Sequence, residues 1–136
     1  MIGEINCPEL PSLQGVRLTA AIVDQAAALF AQNCFTSGQA KCTYGTGAFL
    51  LTNIGAAPKI SKHGLATSLA WNIRGASAYY LDGQVFTAAT AVQWLIENDL
   101  LVSAEAIDSL PDARGVMAAP GFAGYGAPLW KPHATA

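Results

Sequence analysis

Ala40-Lys-Cys-Thr-Tyr-Gly-Thr-Gly-Ala-Phe-Leu-Leu-Thr-Asn53 carries the most structural information in the chain. Lys41 to Asn53 reads as two strands interrupted by Tyr44-Gly45-Thr46-Gly47, because two glycines around one threonine suit a tight hairpin turn. An ordinary turn is the plain reading of those glycines. On the N-terminal side, Val16 to Val23 is a short β-favouring run that stops at Asp24. Asp24-Gln-Ala-Ala-Ala-Leu-Phe-Ala-Gln-Asn33 follows and is strongly helix-forming, with its end expected before Gly38. Asp24 sits at or near the N-terminus of that helix, where a carboxylate accepts backbone N–H groups, so capping alone would account for it. Gly3 to Gln14, with Pro8 and Pro11, reads as irregular.

On the C-terminal side, Pro58 to Gly64 is a loop, Leu65 to Trp71 a candidate strand, Arg74-Gly75 a turn and Ser77 to Asp82 another strand. From Gln84 the period changes. Val85, Ala88, Ala89, Val92, Leu95 and Ile96 fall on one face of a helix running to about Asn98. Ser103 to Leu110 reads as a short helix ended by Pro111. Gly115 to Ala119 reads as a last short strand before a Gly/Pro/aromatic segment, Pro120 to Pro132. The order is a strand–helix unit followed by three mostly antiparallel strands and a helix, which makes an α/β protein.

The 136 residues are enough for one core. Charged residues make up only 12%, against roughly 25% in an ordinary soluble domain, and apolar residues reach 52%. Two readings fit: an alanine-rich, tightly packed protein, or a chain whose apolar faces are covered by more polypeptide or a partner. A net charge of −2 with scattered Lys and Arg gives no reason to expect nucleic acid or an anionic membrane. No apolar run approaches the length of a spanning helix, and the N-terminus does not read as a secretory signal. Cys7, Cys34 and Cys42 form an odd set without CxxC spacing, which argues against a disulfide framework or structural zinc and fits a reducing cytoplasm.

Four segments, in order, resemble the pattern of the glycerol kinases within the sugar- and polyol-kinase family. They are Val23-Asp-Gln-Ala-Ala-Ala-Leu-Phe-Ala-Gln32, the hairpin stretch Ala40 to Asn53, Leu81-Asp-Gly-Gln-Val-Phe-Thr-Ala-Ala-Thr-Ala-Val-Gln-Trp-Leu95, and Pro120-Gly-Phe-Ala-Gly-Tyr-Gly-Ala-Pro-Leu-Trp130. A fifth, Lys62-His-Gly-Leu-Ala-Thr, links the second to the third. A lone Tyr-Gly-Thr-Gly is a weak signal; the segments in register over almost the whole chain are specific. The resemblance implies a partial ribonuclease-H-like, actin-like α/β fold. Residues 1–38 would end the first kinase domain, and residues 39–136 would form the first half of the second, nucleotide-binding domain.

By the same resemblance, the implied activity is ATP-dependent phosphoryl transfer to a hydroxyl of glycerol or a similar polyol. Asp24 matches the general base and, together with Gln25 and Phe49, the groups that hold the polyol. Gly45 and Thr46 match the hairpin that approaches the nucleotide phosphates, and Ala89 and Gln93 match nucleotide contacts one helical turn apart. Phe49 is equally a core residue on a half-buried strand. The sequence departs from the pattern at Ala89 (usually glycine), Cys42 (asparagine), Asp82 (glutamate) and Lys131 (aspartate). The methyl group of Ala89 could crowd the ribose or phosphates. The Mg²⁺ that accompanies ATP would find an incomplete site, because the family's first-strand carboxylate has no counterpart here. Nor do its phosphate loop, the Arg-Glu pair on glycerol, or its adenine-binding segment. The chain would therefore be inactive alone and complete only with the missing parts of the same kinase. The alternatives are a non-catalytic remnant or homo-oligomeric interaction module, and a kinase for another polyol or sugar. His63, Trp71 and Trp94 read as structural.

Overall fold

The computed structural model describes residues 3–4 and 11–134. Cys7 and Pro8 lie outside the described residues. Cys34 is a buried free thiol and Cys42 an exposed one.

The frame is a four-stranded sheet. β3 (Ala40–Tyr44) and β4 (Ala48–Gly55) form the hairpin around Gly45-Thr46-Gly47, while β5 (Ala66–Ile73) and β6 (Ala76–Val85) are joined through Arg74-Gly75. The order is β3-β4-β6-β5 and every neighbour is antiparallel. Its four strands are the two hairpin arms and the two strands that the sequence places after them. The chain reverses completely at Gly45–Gly47, so each hairpin arm is a strand of its own, with Tyr44 opposite Ala48. Arg74 and Gly75 take φ of 50° and 87°. Two left-handed residues give the turn a twist that matches the flanking strands.

Before the sheet come β1 (Gly3–Glu4), paired with β2 (Arg17–Leu18), and a 3₁₀ turn at Pro11–Leu13. The β-favouring run 16–23 therefore forms a strand only at Arg17–Leu18; Thr19 to Val23 belongs to no strand. Helix α1 (Asp24–Ala31) begins where expected and stops well before Gly38. Val23, not Asp24, occupies the cap position, and it makes no side-chain cap. Asp24 is the first helical residue, and its Oδ1 accepts the N–H of Gln25 at 2.7 Å.

Helix α2 spans Ala89–Glu97 and starts later than its apolar pattern suggests. Val85 belongs to β6, whose alternation of inward Ala78, Tyr80 and Asp82 with less buried Tyr79, Leu81 and Gly83 carries the two-residue period past Gln84. Ala104–Ser109 is a 3₁₀ helix. Gly115 to Ala119 is not a strand: Val116 and Met117 are exposed and pair with no edge.

α1 lies on one face of the sheet. Its Ala26 and Leu29 pack against Leu51, Ala70, Ala78 and Tyr80, with Cys34 beside them and Phe49 and Trp71 at the border. Phe30, Phe35 and Trp71 meet edge to face at centroid distances of 4.8, 5.2 and 6.0 Å. On the other face Tyr44, Leu50 and Val85 are exposed, as are Ile60, Val102 and Met117 in the loops. This is the physical content of the low charge fraction, because apolar surface lies open on the sheet face away from α1. The isolated chain is expected to self-associate. Static light scattering that returns a monomer at high concentration would show that these faces need no cover.

Candidate active site

Two groups of polar residues lie at the same end of the sheet, one under α1 and one at the tip of the β3–β4 hairpin. Antiparallel register builds the first. Lys41 is opposite Leu51, which is opposite Asp82, and Thr43 is opposite Phe49, which is opposite Gln84. Side chains two apart share a face, so Lys41, Thr43, Phe49, Asp82 and Gln84 all face α1. Lys41 is only 6% exposed. Its Nζ donates to Oε1 of Gln25 on α1 and, at 2.7 Å, to Oγ1 of Thr43. Burial pushes the Lys41 ammonium below its ordinary value, opposed by the negative charge of Asp82 and, further down, of Asp24. Asp82 is itself buried. Its Oδ2 accepts from Gln84 Nε2 at 3.0 Å, while Oδ1 is buried without a hydrogen-bond partner. Asp24 is exposed and Gln25 half-buried at the adjoining end of α1.

The second group is held by the backbone. Ala88 N–H donates to the carbonyl of Thr46 at 2.9 Å, Ala89 N–H to that of Gly45 at 3.0 Å, and Thr90 Oγ1 to that of Thr46 at 2.9 Å. The hairpin carbonyls thereby satisfy the first donors of α2, which a helix otherwise leaves open. Gly47 is obligatory on steric grounds: a Cβ there would stand 2.4 Å from the carbonyl oxygen of Val85. Gly45, Thr46 and Ala89 are exposed, and Gln93 lies one turn further along α2 with its Nε2 donating to Glu97 at 2.9 Å. Rows 41/51 and 44/48 are three residues apart, roughly 10 Å along the strands at the usual rise. Both groups therefore ride on one rigid hairpin.

The Gly/Pro/aromatic segment braces this end. Ala127 N–H donates to Gln84 O at 2.9 Å, Trp130 Nε1 donates to Gly64 O, and Ala123 N–H donates to Thr87 Oγ1 at 3.3 Å. Tyr125 and Lys131 exchange two backbone bonds of 2.9 Å. Trp130 packs on Phe86, and Phe122 stacks on Trp94 of α2.

Residues 40–136 match the C-terminal domain of the FGGY family of carbohydrate kinases. The chain belongs to that family. Among curated relatives it is 45% identical to the glycerol kinase of Alkalilimnicola ehrlichii, over 97% of this chain and 27% of the relative. It is 47% identical to that of Thermus brockianus, over 92% of this chain and 26% of the relative. Among solved structures, that of Plasmodium falciparum glycerol kinase with ADP superposes with a TM-score of 0.79 at 34% identity, covering 98% of this chain and 28% of that one. The chain thus spans about a quarter of the relatives it matches, and its four-stranded sheet with α1 and α2 is a partial fold of the actin-like, ribonuclease-H-like kind.

Within this FGGY chain the structure brings Gly45, Thr46 and Ala89 into direct contact, with Gln93 on the same helix. It sets Gln25 beside the face that carries Phe49, with Asp24 next to it in the chain. Lys41 was not singled out from the sequence, although the tight turn already fixes the register that puts it opposite an inward leucine. Among the described residues no three His, Cys, Asp or Glu groups come together as a metal site. No helix among them is long and apolar enough to cross a membrane.

Proposed function

We propose that the chain is a working part of a cytoplasmic ATP-dependent glycerol kinase. Residues 1–38 complete its first domain and residues 39–136 open its nucleotide-binding domain. The observation that carries this reading is the hairpin, whose strand β3 carries the Gln25–Lys41–Thr43 contacts and whose turn clasps the α2 terminus.

In this reading a polyol hydroxyl lies at Asp24, whose exposed carboxylate takes its proton as the oxygen bonds to the γ-phosphorus of ATP and the bond to ADP breaks. Gln25 and Phe49 hold the polyol, one by hydrogen bonding and the other against its carbon chain. The Gly45-Thr46 turn lets backbone and hydroxyl donors approach the phosphates, and Ala89 and Gln93 border the nucleotide. The chain alone lacks the rest of both substrate sites and does not turn over.

The test is a chimera in which the chain replaces the matching quarter of a full-length glycerol kinase such as that of Thermus brockianus. Glycerol-dependent ADP release is expected from the chimera and not from the isolated chain. A folded but inactive chimera would overturn the catalytic reading in favour of a remnant or interaction module, which the exposed Ile60, Val102 and Met117 also fit. Faster turnover of another polyol in the same assay would reassign the substrate.

Thr46→Ala provides a separate check on the nucleotide half. The backbone bonds from Ala88 and Thr90 use the Thr46 carbonyl and survive the substitution. Only the hydroxyl and the γ-methyl are lost. A hydroxyl donating to a phosphate contributes about 1.5–3 kcal/mol, so ADP affinity is expected to fall about tenfold or more. Unchanged affinity by calorimetry would remove the hydroxyl from the site.

A further inference from the structure

Lys41 is a buried cation whose contacts lead to the polyol side of the site, and it has a consequence for which atom of Gln25 is free. A side-chain amide offers one acceptor oxygen and one donor nitrogen, and either can face a ligand unless a neighbour fixes it. An ammonium has donors only. Because Lys41 Nζ meets Gln25 from the sheet side, the atom it meets must be Oε1. Thr43 Oγ1, at 2.7 Å, and the α1 contact together pin the lysine from two directions. The charge is tolerated at this depth because Asp82, on the same face two strands away, opposes it.

We propose that Lys41 is a positioning residue that locks the Gln25 amide so that Nε2 is the group presented to the acceptor substrate. The site is then a donor beside an acceptor: Asp24 takes a proton from one hydroxyl, and Gln25 Nε2 gives a hydrogen bond to another oxygen of the same molecule. The inference rests on the polyol site proposed above.

The experiment uses the full chain seated in the glycerol kinase chimera, with KM and kcat for glycerol measured for four variants. Gln25→Glu keeps an oxygen for Lys41 but has no Nε2 donor, so it is expected to raise KM about tenfold, as far as Gln25→Ala does, with kcat affected less. Lys41→Met is expected to raise KM several-fold, and Lys41→Met added to Gln25→Ala is expected to add nothing further. A merely structural lysine would instead lower the unfolding temperature and give additive losses on both backgrounds. Glycerol KM in Gln25→Glu equal to the parent's would overturn the donor assignment even if Lys41→Met did not fold. An inactive parent chimera would remove the polyol site and this inference with it. An active parent with additive Lys41 and Gln25 effects would remove the inference alone.

Discussion

Asp24→Asn in the glycerol kinase chimera is expected to lower kcat about 10²–10⁴-fold, the range a positioned general base contributes. The substitution isolates the chemistry from the fold. Asp24 is exposed, it occupies the first helical position and not the cap, and its one local bond is accepted from the neighbouring Gln25 N–H. The amide oxygen of asparagine can accept that bond, so helix α1 should form as before, and the loss of a carboxylate from the first turn costs only about 0.3–1 kcal/mol. Glycerol KM and ADP affinity should change little, because Gln25, Phe49 and the hairpin keep their places. A fall in kcat alone, with an unfolding temperature within a few degrees of the parent, is the expected pattern. Retention of more than about a tenth of the parent kcat would leave Asp24 as a local acceptor in the first turn of α1 and shift the base elsewhere.

The sequence was most legible where local chemistry and tertiary context agree. Gly45-Thr46-Gly47 demanded a turn, and the turn fixed the Tyr44–Ala48 register and with it the face of every side chain in both arms. Helix α1 was legible for a similar reason: an alanine-rich run after Asp24 has little else to do. Residues 16–23 and 115–119 show the opposite case. Valine and isoleucine favour strands only when an edge is available to pair with, and apart from Arg17–Leu18 these residues have none among the described ones. Val85 was drawn into α2 because apolar residues at helical spacing follow it, but strand β6 had already set its period. Lys41 was hidden for a different reason. A lysine in a strand is ordinarily a solvated residue, and only the hairpin register exposes it as an inward one.

Gly126→Ala is expected to destabilise the chain by about 3 kcal/mol, at the upper end of overpacking costs. A Cβ at this position would lie 2.1 Å from the carbonyl oxygen of Gln84 and 2.9 Å from its carbon. Both obstacles are backbone, so no rotamer change relieves them. The clash falls where Ala127 N–H bonds to the same Gln84 carbonyl, and where Gly126 O receives Trp130 N–H at 2.7 Å. Moving the segment away would break the first bond and draw Trp130 off Phe86 and Gly64. Two other glycines separate this from generic glycine effects. Gly75→Ala meets no atom within 4 Å and bears only the strain of a φ of 87°, about 1–2 kcal/mol. Gly121→Ala meets only the Tyr125 ring at 2.8 Å, which can rotate. Urea unfolding should therefore rank Gly126→Ala as the most costly of the three, and a loss below about 1 kcal/mol would mean that the brace is not seated on β6 as described. The functional readout follows from position. Phe86 and Thr87 connect β6 to α2, and both are gripped by this segment, so loosening it frees the α2 terminus from the hairpin carbonyls. ADP affinity should fall in Gly126→Ala although Gly126 lies outside the proposed nucleotide half of the site, and should be unchanged in Gly75→Ala.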